Sequence, residues 1–194
     1  PAGAATTAAG AGLPGRVDPA ANEAWLLHGC PPKVVADICQ HGLSERLSSM
    51  GGAFGAGIYL AEHVEKIDQY NTADYRQRGE GLNALHGRLF GAEGGPRHPL
   101  HGEDDPKPGS ENDLFYCFVV RAVIGWPVRT LGCWRKARSP ASMDHDAIPS
   151  VHQDDTRREL AIVPGTGTAT VPRYRFNSLI AELGRLLMRY REFV

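Results

Sequence analysis

The chain has 194 residues, of which 42% are hydrophobic, so it is long enough for one well-packed domain and short for two. A formal net charge of -1 argues against a nucleic-acid or membrane-surface role driven by overall charge, and the longest apolar stretch, 115–126, is too short to span a bilayer. Four cysteines without a C-x-x-C pair are poorly spaced for a zinc site or a disulfide framework, and indicate reduced thiols in an intracellular protein.

The first residues differ in composition from the rest. Residues 1–20 are mostly Ala, Gly, Thr and Pro, which predicts a flexible lead-in, and we expect a single folded domain over 21–194. The chain begins with Pro1 and carries no initiator Met, so we also expect it to be a fragment whose targeting signals are not visible.

Hydrophobic periodicity predicts the first elements in chain order. A short buried strand is expected at 24–27, and Pro31-Pro32 then open a helix that Gly42 closes. Apolar residues at helical spacing predict an amphipathic helix over 62–78. The stretch 91–113 is rich in Gly and Pro, which indicates an exposed loop.

The second half of the chain is predicted to supply most of the strands. We expect a strand in the core of a sheet at 115–124, loop-like residues over 135–172, and two closing strands at 176–183 and 190–194. Strands dominate the ordered parts and helices are few. The sequence therefore predicts an α+β domain with a mainly antiparallel sheet.

Four glycines fall within seven residues at 51–57 (GGAFGAG), directly before an apolar run. Such density indicates a sharp bend or the close approach of a ligand to the backbone. The order G-x-x-G-x-G leading into a strand differs from the Rossmann fingerprint, and the Gly-Lys-Ser/Thr of a P-loop does not occur in the chain. Neither of these common nucleotide-binding loops explains the glycines.

Three motifs follow one another in a fixed order: LLHG at 26–29, FGAGIYLAE at 54–62 followed by Lys66 and Tyr70, and SLIAE at 178–182 followed by YREFV at 190–194. Together they resemble the catalytic domain of poly(ADP-ribose) polymerases over roughly residues 23 to 194. The resemblance implies a diphtheria-toxin-like ADP-ribosyltransferase fold, which binds NAD in a split sheet without a Rossmann crossover. It implies transfer of ADP-ribose from NAD to protein acceptors, with release of nicotinamide, and polymer elongation in principle.

The resemblance also implies the catalytic residues. The His-Tyr-Glu signature of the family maps onto His28, Tyr59 and Glu192. His28 is expected to bind the 2′-hydroxyl of the adenosine-side ribose. Glu192 is expected to stabilise the positive charge that develops on the other ribose as its bond to nicotinamide breaks. The glycine-rich turn would then deliver Tyr59 to the nicotinamide end of NAD.

Recognition of nicotinamide needs one backbone N–H and one C=O side by side for the carboxamide, with aromatic faces around the ring. Gly29 is expected to supply the backbone pair, and Tyr59 and Tyr70 the faces. The full set of predicted NAD-binding residues is His28, Gly29, Cys30, Arg46, Tyr59, Ala61, Lys66 and Tyr70.

The chain departs from the family pattern at four points. Many members carry a serine where this chain has Ile67, so one hydrogen bond to the carboxamide is expected to be missing. An arginine after Gly-Leu is replaced by Ser44, with Arg46 as a substitute two residues on, and Cys30 stands where serine is frequent. The chain stops at Val194, whereas relatives continue into a further strand, so we expect the C-terminal strand to be missing.

Three functions remain open at this stage: an active ADP-ribosyltransferase, an NAD glycohydrolase that uses water as the acceptor, and a silent module that binds NAD or ADP-ribose. The intact His-Tyr-Glu set argues against the third. We expect NAD as the substrate, protein acceptors as partners, and no metal, nucleic acid or membrane. The metal-capable groups at 98–105 and at 144–146 with His152 fall in predicted loops and are weak candidates.

Overall fold

A computed structural model describes residues 15–49, 51–74, 81–90, 114–130, 151–153, 158–182 and 190–194. The chain forms two compact units, each of which is assembled from separate stretches. The first unit comprises Pro1–His28, Ser44–Lys66 and Val119–Val194, and the second comprises Gly29–Leu43 and Ile67–Phe118. No helix in the described ranges is long and apolar enough to cross a membrane.

The main architectural feature is a six-stranded sheet. Its strands are β1 (Glu23–Cys30), β2 (Leu60–Ala61), β3 (Tyr116–Val123), β4 (Pro127–Thr130), β5 (Ser178–Ala181) and β6 (Glu192–Phe193). They lie in the order β3-β1-β2-β6-β5-β4. The β1–β2, β2–β6 and β5–β6 pairs are antiparallel, whereas β4 and β5 run parallel. This confirms the predicted α+β class, with few helices beside a mainly antiparallel sheet.

The helices are short. They are α1 (Val35–His41), α2 (Val64–Ile67) and α3 (Asn83–Phe90), with 3₁₀ turns at Pro19–Ala21, Pro32–Val34, Glu45–Leu47 and Asp68–Tyr70. The two prolines before α1 suit the first turn of a helix, where the missing N–H would have no partner. Gly42 ends α1 at a φ of 77°, a conformation that favours glycine. The predicted helix between Pro31-Pro32 and Gly42 is therefore confirmed.

Each unit has its own apolar core. In the first unit, Phe54, Val151, Leu179 and Ala181 are buried together, with Tyr59 and Val194 packed against them. In the second unit, the buried residues Cys30, Val35 and Leu82 pack with partly buried neighbours that include Tyr116 and Phe118. Burying such side chains contributes about 1.5–3 kcal/mol for each large aliphatic or aromatic group.

Two predictions about elements were wrong in part. The helix expected over 62–78 stops early, because α2 and its 3₁₀ extension end at Tyr70 and Asn71 is extended, with φ -84° and ψ 149°. The strand at 115–124 was expected in the core of the sheet, but β3 lies at one end of the order of the described strands and has one exposed face. Val119 and Val123 on that face are 44% and 65% exposed.

The structure leaves some predicted regions untested. The flexible lead-in lies mostly outside the described residues, and so does the Gly- and Pro-rich loop at 91–113. The predicted boundary between the lead-in and the domain stays a prediction. The missed elements were α3 and β4.

Candidate active site

Glu192 lies in the middle of the sheet. Its strand β6 pairs with β2 on one side and β5 on the other, and the residues directly opposite Glu192 are Ala61 and Ala181. Directly opposed side chains on neighbouring strands begin about 4.5–5.5 Å apart, so a carboxylate between two alanines has small neighbours on both sides. Glu192 is 2% exposed. The sheet therefore holds a buried carboxylate in a row of small side chains.

Lys66 compensates the charge of this carboxylate. It lies on α2, shortly after β2, and its Nζ is 3.3 Å from Glu192 Oε2. The two side chains are only 11% and 3% exposed. Burying a charge is expensive unless an opposite charge and hydrogen bonds replace the lost water, so the pair explains how both groups can be buried.

His28 is connected to the second signature residue through the backbone. Its Nδ1–H donates to the carbonyl oxygen of Tyr59, at 2.9 Å. A ring that donates from Nδ1 has, in its neutral form, an acceptor lone pair on Nε2. This hydrogen bond sets both the orientation of the imidazole and the kind of group that Nε2 can bind.

The hydroxyl of Tyr59 forms hydrogen bonds with the backbone of the glycine-rich turn. It donates to the carbonyl oxygen of Gly55 and accepts from the backbone N–H of Phe54, both at 2.8 Å. A side chain at Gly52 would collide with this hydroxyl and would lie 2.5 Å from the Gly55 oxygen. The glycine at 52 is thus required by the close approach of the tyrosine to the backbone.

A buried histidine holds the same turn from another segment. His152 Nε2–H donates to the carbonyl oxygen of Phe54 at 3.0 Å, and the residue is 6% exposed. The sequence had suggested His152 as a weak metal candidate with 144–146, which lie outside the described residues. Among those that are described, no three His, Cys, Asp or Glu side chains come together as metal ligands.

The second unit contains three of the predicted site residues. Gly29 packs tightly against the segment around Ile67 and Asn71, and the ring of Tyr70 is 50% exposed. Cys30 points into the core of this unit, where burial raises the pKa of its thiol to about 11. Its side chain thus serves packing.

A cleft in the first unit lies away from Glu192. It has a volume of about 270 Å³, and its lining includes Leu26, Glu45, Leu60, Arg158 and Phe193. Leu60 pairs with Phe193, next in register to the Ala61–Glu192 pair, so alternation places Leu60 and Phe193 on the opposite face of the sheet from Glu192. As far as the described residues go, none of the nine predicted site residues lines it.

The structure brings five of the predicted residues together in the first unit, through the sheet register, one ion pair and one hydrogen bond: His28, Tyr59, Ala61, Lys66 and Glu192. Arg46 is exposed on a 3₁₀ turn, and no described contact links it to that group. Sequence reasoning missed Ala181 and Asn71. Pairing the predicted strand that contains β5 with the last strand could have indicated Ala181, whereas a single asparagine in a polar stretch has no recognisable pattern.

Comparison with protein families adds one finding. The family model of the poly(ADP-ribose) polymerase (PARP) catalytic domain matches residues 15–86, which supports a PARP catalytic domain in this chain. The match includes His28 and Tyr59 and ends before Glu192. Domains of this family use NAD as their substrate, and the match supports NAD-dependent ADP-ribosyltransferase activity in general.

Proposed function

Because the family model of the PARP catalytic domain matches residues 15–86, we propose that the protein is an NAD-dependent ADP-ribosyltransferase that modifies protein acceptors and releases nicotinamide. The observation that carries this proposal is the buried Lys66–Glu192 pair, set between two alanines in the centre of the sheet. Glu192 lies outside the matched segment, so its burial beside a lysine is independent support for a functional carboxylate.

Glu192 is the proposed catalytic residue. Breaking the bond between nicotinamide and ribose builds positive charge on the ribose C1′, and a carboxylate that accepts from the adjacent 2′-hydroxyl stabilises this charge. The same carboxylate can take the proton of an incoming acceptor hydroxyl. Lys66 holds the carboxylate in one orientation, which reduces the reorganisation needed during the reaction.

The two other signature residues position the dinucleotide. With Nδ1–H donating to the Tyr59 carbonyl, His28 Nε2 can accept a hydrogen bond from a ribose hydroxyl. The Tyr59 hydroxyl is held by the glycine-rich turn, so its ring has a fixed orientation for packing against a flat heterocycle. Stacking of this kind contributes about 0.5–1.5 kcal/mol beyond burial.

In the second unit, Gly29 is the proposed nicotinamide residue. Its backbone N–H and C=O can bind the C=O and one N–H of a primary carboxamide. Tyr70, whose ring is half exposed, offers an aromatic face. We further propose that the presence of Glu192 permits elongation of the first ADP-ribose into a polymer.

The proposal is tested by following the products of NAD. The protein is incubated with NAD labelled in its adenine half, and the label is measured as protein-bound ADP-ribose, polymer and free ADP-ribose. Glu192→Gln keeps the shape of the side chain and removes its charge. We expect it to lower transfer by about 10²–10³-fold while NAD affinity changes by only a few-fold.

Glu159→Gln is the matched control. Glu159 is 55% exposed at the side chain and pairs with Arg175 on the surface, so this variant should transfer at close to the wild-type rate. Equal transfer by the wild type and Glu192→Gln would remove Glu192 from the mechanism. Label found only as free ADP-ribose would favour an NAD glycohydrolase, and NAD binding without any product would indicate a silent module.

A further inference from the structure

The backbone at Gly29 has a polar neighbour that the sequence did not indicate. A Cβ placed on Gly29 would lie 2.6 Å from Asn71 Oδ1 and 2.6 Å from the carbonyl oxygen of Ile67. Real Cβ atoms do not approach other atoms so closely, and therefore only glycine fits at position 29. The amide of Asn71 consequently lies directly against the residue whose backbone would bind nicotinamide.

Asn71 Oδ1 is an acceptor without a donor. The atom is buried, and within the described part of the chain no N–H or O–H group reaches it. Asn71 follows the 3₁₀ turn at Asp68–Tyr70, and its own N–H is used by the carbonyl oxygen of Asp68 at 3.2 Å. A buried acceptor left unmatched weakens the folded state, and any group that donates to it recovers that loss.

The neighbouring side chain of Ile67 cannot form a hydrogen bond with a carboxamide. Ile67 is 3% exposed and purely aliphatic, so it offers neither a donor nor an acceptor. A primary carboxamide has one C=O and two N–H groups. In the proposed function the backbone of Gly29 binds the C=O and one N–H, so the second N–H needs another acceptor.

We propose that Asn71 Oδ1 accepts this second N–H, and that Asn71 thereby selects primary carboxamides at the nicotinamide position. The inference rests on the proposed function, because it takes Gly29 as the carboxamide-binding residue. The torsion about the Cβ–Cγ bond of asparagine is broad, so a small rotation can turn Oδ1 toward a carboxamide on the Gly29 backbone. Asn71 thus supplies a hydrogen bond to the carboxamide that Ile67 cannot make.

Two small ligands separate this hydrogen bond from the rest of the site. Benzamide has both N–H groups, whereas the lactam 3,4-dihydroisoquinolin-1-one keeps the C=O and the N–H beside it and has carbon in place of the second N–H. Affinities are measured by calorimetry on the wild type, Asn71→Leu and Asn71→Ala. We expect both variants to bind benzamide about two- to tenfold more weakly and the lactam within about twofold of the wild type.

Thermal unfolding shows whether Asn71 acts in ligand binding or in stabilising the fold. Asn71→Leu replaces an unmatched acceptor by an apolar group of similar size, so its unfolding midpoint should equal or exceed that of the wild type. Asn83→Leu makes the same exchange at an exposed position of α3 and should leave both affinities unchanged.

The outcomes are distinct. Benzamide affinity unchanged by both Asn71 variants would overturn the inference, and so would an equal loss for benzamide and the lactam or a clear fall in the unfolding midpoint of Asn71→Leu. In those cases the wild type still binds the ligands, and the proposed function stands. If the wild type bound neither ligand and released no nicotinamide from NAD, the proposed function and this inference would both fail.

Discussion

Glu192→Gln should destabilise the protein as well as reduce its activity. The Nζ of Lys66 lies 3.3 Å from Glu192 Oε2, and both side chains are almost completely buried. At an effective dielectric constant of about 20, two unit charges at that distance attract by about 5 kcal/mol. The cost of removing both charges from water offsets much of this attraction, but breaking a buried pair by neutralising one partner typically costs about 3–5 kcal/mol.

The expected loss is large enough to measure by thermal unfolding. In a chain of this size, each kcal/mol lowers the unfolding midpoint by about 2–4 °C, so Glu192→Gln should unfold roughly 6–20 °C below the wild type. Activity of this variant must therefore be compared at a temperature at which it is still folded.

A double-mutant cycle measures the coupling directly. Lys66→Met, Glu192→Gln and the double variant are unfolded with urea at pH 7, and the double variant should lose clearly less stability than the sum of the two single changes. The exposed Arg175–Glu159 pair, at 2.7 Å, is the control, and its coupling should be below about 1 kcal/mol. A Lys66–Glu192 coupling no larger than that of the control pair would refute the reasoning.

Two further predictions follow from described contacts. Tyr59→Phe should lower the free energy of unfolding by about 1–3 kcal/mol, because it leaves the Phe54 N–H and the Gly55 carbonyl without their partner, whereas Tyr174→Phe, at an exposed residue, should cost less than about 0.5 kcal/mol. Burial raises the pKa of Cys30 from 9.0 to about 11, so the folded state holds this proton more tightly than the unfolded state. That stability is complete below pH 9 and is lost as the pH rises toward 11, by up to about 1.4 kcal/mol per pH unit. The free energy of unfolding is measured with urea in reducing buffer from pH 8 to 11, and it should fall less steeply for Cys30→Ala than for the wild type. Burial also raises the pKa of Tyr116, but this contribution is equal in both proteins. Parallel curves would contradict the assignment to Cys30.

The strands with strong apolar patterns were predictable. β3, β5 and β6 fall within predicted strands, and β1 is longer than the strand predicted at 24–27 but includes it. Runs of branched and aromatic residues favour a sheet in nearly any context. β2 has only two residues, and it is defined by its partners on either side, which no local pattern contains. The position of β3 at one end of the described strands was missed for the same reason.

The end of the second predicted helix illustrates a different limit. Val64, Ile67 and Tyr70 recur at helical spacing, and the periodicity gives no reason to stop at Asn71. The structure ends the helical segment there and turns the chain into an extended conformation. Asp74 then forms a bridge with Leu114, a tertiary contact that outweighs local propensity.

The residues of the candidate site were proposed from the order of the motifs. The motifs indicated His28, Tyr59 and Glu192, but they could not show that Lys66 pairs with Glu192, because this distance depends on the register of three strands. The sequence could not indicate the Oδ1 atom of Asn71 either, because it is its position in space that leaves it without a hydrogen-bond donor among the described residues.

The position of β6 has a consequence for how the first unit folds. β6 joins β2 to β5 although Ala61 and Glu192 are 131 positions apart along the chain (192 - 61), so in the described sheet these strands are connected through residues that the ribosome adds long after β2. Closing so long a loop before its contacts form makes assembly of such a sheet slow. During synthesis, the polypeptide would hold Ala61 and Lys66 for some time without the carboxylate. The protein therefore acquires its proposed catalytic group and the continuity of its sheet in the same late event, and an incompletely translated chain has neither.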